Sequence, residues 1–164
     1  MRNIALFAAG IAFTAMVLGN GLSTIPDASE KKSYSTRSHA KHSSGDVVLK
    51  RGFSGHFFAE VEVNGTSIGM LADTGASVVA LSVEDAEAAG ISVDSLSFSH
   101  TVSTANGDAN AAPVTLDEVT VGSITRHNVP ALVARGLSES LLGMSFFNTL
   151  SKVAMESDEM VLQD

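Results

Sequence analysis

The stretch Met70-Leu71-Ala72-Asp73-Thr74-Gly75-Ala76-Ser77 decides how the rest of this sequence is read. An apolar run ends on an acid, and a hydroxyl, a glycine and two small residues follow. A strand this apolar carries its last residue into a partly buried place. An ionised aspartate there is unfavourable unless it is well hydrogen-bonded or shares a proton. Gly75 has no Cβ, so backbone N–H groups can approach the Asp73 carboxylate. Thr74 offers a hydroxyl that can tie the loop to a neighbour. The competing reading is a plain loop in which Asp73 and Thr74 satisfy their own backbone. The apolar strand before them and the small residues after them favour the functional reading.

Working outward, the flanking sequence is mostly β in pattern. Phe57, Ala59, Val61 and Val63 alternate with Phe58, Glu60 and Glu62, which marks a half-buried strand. Asn64-Gly65 is a two-residue hairpin turn, and Ile68 to Ala72 returns from it straight into Asp73. Val78 to Leu81 is another short strand. Ser82 and Asp85 form a capping box for a helix over Val83 to Ala89, which Gly90 stops. Phe98 to Thr104 and Ala112 to Val121 read as strands around Ala105-Asn106-Gly107, and Val129 to Ala134 as a further one. Leu141-Leu142-Gly143 leads into a short helix over Ser145 to Leu150. Val153 to Met155 and Met160 to Leu162 form a closing hairpin around Ser157-Asp158. Short strands with turn signals about every ten residues indicate a small barrel or sandwich.

The N-terminal third has a different composition. Ile4 to Leu18 is an unbroken run of apolar and small residues after Arg2, and with Gly19 to Leu22 it reaches about membrane-spanning length. An uncleaved anchor over residues 1–22 and a cleavable signal peptide are both open. The anchor is favoured because no Ala-x-Ala site follows the run. Residues 23–45 are rich in Ser, Lys and His and read as a flexible linker. Export is the usual fate of such a leader. Lys31, Lys32, Arg37 and Lys41 pull the other way, since basic flanks tend to stay cytoplasmic. The folded domain occupies residues 46–164.

Composition narrows the function. The 164 residues carry a net charge of -8, and from Asp46 onward there are 16 acidic and 5 basic residues, which argues against a nucleic-acid partner. There is no Cys, so disulfides and Cys-based metal or redox sites are excluded. The five His residues form no metal-ligand spacing, and His39 and His42 fall in the polar linker. No metal or cofactor is expected.

Leu71-Ala72-Asp73-Thr74-Gly75-Ala76 resembles the active-site loop of retropepsin-like (clan AA) aspartic proteases, most of all their bacterial membrane-associated branch. The resemblance extends from Gly55-His56-Phe57 to Leu162. Thr104-Ala105-Asn106-Gly107 sits where that family places the tip of its flap hairpin. Leu141-Leu142-Gly143-Met144-Ser145-Phe146-Phe147 is similar to the segment that passes behind the active site into a helix. The resemblance implies an all-β, small closed-barrel fold with one or two short helices, following the N-terminal hydrophobic helix and linker.

The resemblance also implies a mechanism, with Asp73 as the catalytic acid and Thr74, Gly75 and Ala76 as its supporting loop. Two aspartates flank one water and share one proton, because like charges so close cannot both ionise. One member takes a proton from the water, and the other hydrogen-bonds the scissile carbonyl. Asp73-Thr74-Gly75 occurs once, so the second carboxylate is expected from the same residue of a second copy in a homodimer. Ala105, Asn106 and Gly107 would cover an extended polypeptide substrate, while Leu141, Leu142 and Gly143 are expected to be structural. Ala76 stands where two-lobed relatives carry a Ser, which removes one hydrogen bond to the carboxylate. An inactive binding or dimerisation module on the same fold is the alternative.

Overall fold

The computed structural model describes residues 45–104 and 107–164. The expected anchor over 1–22, all of the linker except Gly45, and the flap residues Ala105 and Asn106 lie outside the described residues. Among the described residues, no helix is long and apolar enough to cross a membrane.

The described residues open with β1 (Val47–Lys50), a strand not anticipated from sequence, then β2 (Phe58–Val63) and β3 (Thr66–Ala72). β4 (Val79–Ser82) leads into α1 (Val83–Ala88). Next come β5 (His100–Thr104), β6 (Gly107–Val121) and β7 (Ile124–Ala134). The two-residue β8 (Leu141–Leu142) precedes α2 (Met144–Phe147), and β9 (Lys152–Glu156) and β10 (Glu159–Gln163) close the chain.

The β2–β3 hairpin follows its sequence pattern. Ala59, Val61 and Val63 are fully buried, Glu62 is exposed, and Asn64 takes the positive φ of 50° that the tight turn requires. At α1 the cap differs from a capping box. The Ser82 hydroxyl accepts from Asp85 N at 3.1 Å and donates to the Asp85 carboxylate at 2.9 Å, while Ser82 N donates to Ser140 Oγ at 3.0 Å. An aspartate is one methylene shorter than the Glu of a capping box, and here a different acceptor takes the Ser82 N–H. The expected helix over Ser145 to Leu150 is only the single turn of α2, because the chain must turn back to start β9.

Two sheets result. β1, β10 and β9 form a three-stranded antiparallel sheet, which explains why Val47, Val48 and Leu49 are buried. The other sheet has seven strands in the order β2-β3-β8-β4-β7-β6-β5, and β6 also pairs with β2 through Val119 to Val121. The sheet therefore curls back on itself, but the expected closed barrel is not a clean one. The curl passes through a two-residue strand, where β8 and β4 pair only at Leu141 and Ala80. β5 and the outer half of β6 also project as a separate hairpin.

The order around β8 positions the site. β3 and β4 are not hydrogen-bonded neighbours, and β8 lies between them, parallel to β3 through Leu71–Leu141 and Ala72–Leu142. The loop over residues 73–78 must therefore bulge over the end of β8. Beneath it lie fully buried Met70, Leu81, Leu142 and Phe146. Burial of each contributes about 1.5–3 kcal/mol, which anchors the loop's two ends in rigid core.

Candidate active site

Asp73 is the first residue beyond β3, and its backbone N–H donates to the Leu142 carbonyl at 3.0 Å. That bond continues the β3–β8 ladder by one step and holds the Asp73 Cα at the sheet end. The chain then turns tightly, with Ala76 N donating to the Asp73 carbonyl at 3.2 Å. Gly75 N donates to Asp73 Oδ1 at 2.8 Å. A Cβ on Gly75 would lie 3.1 Å from that same oxygen, so the glycine permits the close approach read from sequence. Asp73 is half-buried, as expected for the end of an apolar strand, and Thr74 is exposed. Among the described residues, the Thr74 hydroxyl has no hydrogen-bond partner within its own chain.

Leu141, Leu142 and Gly143 clamp the loop from behind. Beyond the Leu142 carbonyl bond, Met144 N donates to the Ala76 carbonyl at 2.8 Å and Val79 N donates to Ser145 Oγ at 2.9 Å. The backbone approach at Gly143 is so close that a Cβ there would lie 2.2 Å from the Val78 carbonyl oxygen. This glycine is required by contact, since its φ of -107° is open to any residue. Ser145 and Ser140 were not singled out in the sequence. Both are single serines in an ordinary Ser-rich stretch, and only packing gives them partners.

A β-hairpin lies where the flap is expected. β5 and β6 pair from His100–Ala111 to Thr104–Gly107, and Gly107 has a φ of 106°. Thr104 Oγ1 donates to the Gly107 carbonyl at 2.7 Å, and Ser103 Oγ donates to Asp108 Oδ1 at 2.8 Å. Of the three expected flap residues, Gly107 is thus placed beside the tip. Thr104, which opens the expected flap-tip segment, and Ser103, which was not named from sequence, line the cleft beside Asp73.

That cleft, of about 460 Å³, has Asp73, Gly75 and Ala76 in one wall and Ser103, Thr104 and Ala109 of the hairpin in another. Leu137, Ser138 and Glu139 complete it. A neighbouring hollow of about 310 Å³ shares Gly75, Ala76, Ser103, Thr104, Leu137 and Leu141. A trough of mainly apolar surface, with the Asp73 carboxylate at its floor and Glu139 in its wall, suits an extended polypeptide chain. Among the described residues, no group of His, Asp or Glu has the arrangement of a metal site.

The comparisons agree with this geometry. Residues 59–149 match the family model described as gag-polyprotein putative aspartyl protease. An uncharacterized protein from the cobV 5′ region of Sinorhizobium sp. is 51% identical over 121 residues, covering 73% of this chain and 52% of that protein. An uncharacterized protein of Rickettsia prowazekii is 36% identical over 119 residues, covering 72% of this chain and 51% of that protein. The chain thus spans about half the length of the curated relatives it matches. Among solved structures, a retropepsin-like aspartic protease from Rickettsia conorii superposes with a TM-score of 0.66 at 36% identity, over 72% of this chain and 98% of that one. The EIAV protease, solved with an inhibitor, superposes at 0.50 with 16% identity over 63% of this chain and 97% of that one, a likeness of fold alone. With an Asp-Thr-Gly loop clamped at the end of β3 beneath a β-hairpin, this chain belongs to the retropepsin-like aspartic proteases.

Proposed function

We propose that this protein is an aspartic endopeptidase whose active site is completed by a second copy of the chain. The observation that carries the reading is the placement of Asp73, half-buried at the floor of a cleft whose opposite wall is the β5–β6 hairpin. One subunit supplies one carboxylate, and one carboxylate cannot serve as base and acid in the same step. Two copies related by a two-fold axis bring Asp73 to Asp73. The pair then holds one proton and one water. The ionised carboxylate takes a proton from the water as it attacks the scissile carbonyl carbon. The protonated partner hydrogen-bonds the carbonyl oxygen, and a proton passes to the departing amine.

Features beside the loop support assembly. Thr74 is exposed, with its hydroxyl available to a partner's loop. A groove of about 520 Å³ next to it is bounded by Met144, Phe147 and Met155, and Met155 is 55% exposed. β9, the edge of the three-stranded sheet, pairs only with β10 among the described residues. Residues 1–22 would tether the enzyme to a membrane with its domain exported, on the strength of their apolar run alone. A protease-accessibility test on intact and opened cells checks that placement.

The decisive experiment incubates the full chain with an unfolded protein over a range of enzyme concentrations, with and without a statine-type inhibitor. Inhibitor-sensitive cleavage whose specific activity falls on dilution is expected. The absence of cleavage where the protein is dimeric would favour the inactive binding module.

A further inference from the structure

We propose that Phe53 is a docking finger that seats in the groove beside Thr74 of a second copy and so interlocks two subunits around the paired Asp73 carboxylates; the inference rests on the active site being shared by two copies. Phe53 and Met155 are the large apolar side chains left exposed among the described residues. The mount of Phe53 sets it apart. Gly52 N donates to the His56 carbonyl at 2.7 Å and Gly55 N to the Gly52 carbonyl at 2.9 Å, closing a tight turn with Gly55 at a φ of 82°. The Arg51 guanidinium lies over the Phe57 ring, 4.4 Å from its centroid. It donates to the Gly55 carbonyl at 2.7 Å and to the Ser157 carbonyl at 3.0 Å, tying the turn to the β9–β10 connection. Phe53 is therefore carried on a fixed backbone, and little chain entropy is left to lose when a partner covers it.

Strand register places this turn at the end of the molecule that the two copies share. Phe58 pairs with Leu71, and the Phe57 carbonyl accepts from Ala72 N at 2.9 Å. Traced back from Phe57, the turn leaves the sheet at the end where β3 runs out into Asp73. The groove of about 520 Å³ adjoins the same loop, lined by Thr74, Met144, Phe147, Leu150, Val153 and Met155. Methionine and aliphatic walls suit an aromatic ring. Phe53 is not among the residues lining the groove of its own chain. With Asp73 meeting Asp73 on a two-fold axis, the finger and groove of one copy are matched by the groove and finger of the other, so the contact is made twice. Each phenylalanine buries about 150–250 Å², so two supply about 300–500 Å² of the roughly 1,600 Å² that a stable interface buries in total. The small Thr74 side chain falls far short of that area.

The test measures dimerisation of the full chain by sedimentation, beside its cleavage of an unfolded protein. At about tenfold for each of two truncated fingers, Phe53→Ala should raise the dimer dissociation constant about 100-fold. Activity per dimer should return to the wild-type value once enzyme concentration restores the dimer, because Phe53 does not line the cleft. The chain has no Cys, so thiols can be introduced one at a time. Phe53→Cys chains mixed with mass-tagged Met155→Cys chains and oxidised should give a disulfide-linked pair of unlike chains. A dimer that depends on Phe53 but cleaves nothing leaves the inference standing and sinks the peptidase reading. Dilution-dependent cleavage with a dissociation constant unchanged by Phe53→Ala does the reverse. A dimer that yields no crosslinked pair of unlike chains also overturns the inference. So does a Phe53→Ala effect confined to binding of phosphatidylglycerol vesicles, which would assign the finger to a membrane surface.

Discussion

Replacing Gly143 with alanine adds one methyl group at the most crowded backbone crossing beside the site. On chain entropy alone Gly→Ala would stabilise, by about 0.4–1 kcal/mol, because the φ of -107° is one that alanine adopts freely. The contacts reverse that sign. The new Cβ would lie 2.2 Å from the Val78 carbonyl oxygen, 2.6 Å from its carbon and 2.9 Å from the Ala76 carbonyl oxygen. Both neighbours are backbone and cannot rotate away. Opening the nearest contact from 2.2 Å to the 3.0 Å floor for such contacts moves the two strands apart by about 0.8 Å. The Met144 N–Ala76 O bond, now 2.8 Å, would stretch beyond a hydrogen bond, and the Asp73 N–Leu142 O bond at 3.0 Å would stretch with it. Two lost bonds at about 0.5–1.5 kcal/mol each, with about 1–3 kcal/mol of overpacking, give roughly 2–6 kcal/mol of destabilisation. Urea unfolding of the full chain reads this as a midpoint lower by about 1–3 M, for a slope of about 2 kcal/mol/M. Gly75→Ala is the control. Its Cβ meets only a side-chain oxygen, at 3.1 Å, so stability should change by less than about 1 kcal/mol while activity falls as the carboxylate is displaced. A Gly143→Ala midpoint within about 0.3 M of wild type would refute the claim that this crossing fixes the loop.

Asp73→Asn is nearly isosteric and should abolish cleavage with the unfolding midpoint little changed. Mixing it in excess with wild type should suppress activity by capturing subunits in one-carboxylate dimers, as a titration of rate against added variant would show. Thr74→Ala should raise the dimer dissociation constant in ultracentrifugation more than it lowers kcat at saturating dimer. Ser140→Ala leaves the Ser82 N–H and Asp85 without the hydroxyl they share, and should cost about 1–3 kcal/mol in urea unfolding. The Arg126 hydrogen bond, opposed by desolvation and aided by the guanidinium charge, holds Asp164 below its ordinary 3.8. A lowered folded-state value means the contribution is present above 3.8 and lost as pH falls through the folded value. The stability difference between wild type and Asp164→Asn should accordingly vanish in strong acid, as acid titrations followed by circular dichroism would show.

The sequence alone determined the features set by local chemistry. Alternation placed β2 with its alternate residues buried, Asn64-Gly65 placed its turn, and the apolar run before Asp73 placed an acid at a strand end. These are readings of period and turn type, which depend on a few adjacent residues. The single Asp-Thr-Gly and the need for a small residue beside the carboxylate were legible for the same reason. Relations between distant segments were not. β1 was invisible because its four residues have a reason to be a strand only when β10 pairs with them. Gly143 looked like an ordinary structural glycine, and its role depends on Val78, which is 65 residues away. Ser140 and Ser145 carried no local signal, since any serine can find a partner and only packing assigns one. Glu139 was an unremarked acid until the fold set it in one wall with Leu137 and opposite the hairpin. The barrel expected from short, regularly spaced strands became a curled sheet, because β8 is too short to carry the closure. Tertiary structure decided these points because each one is a contact across long sequence separation, and the local pattern encodes which residues are apolar but not which will meet.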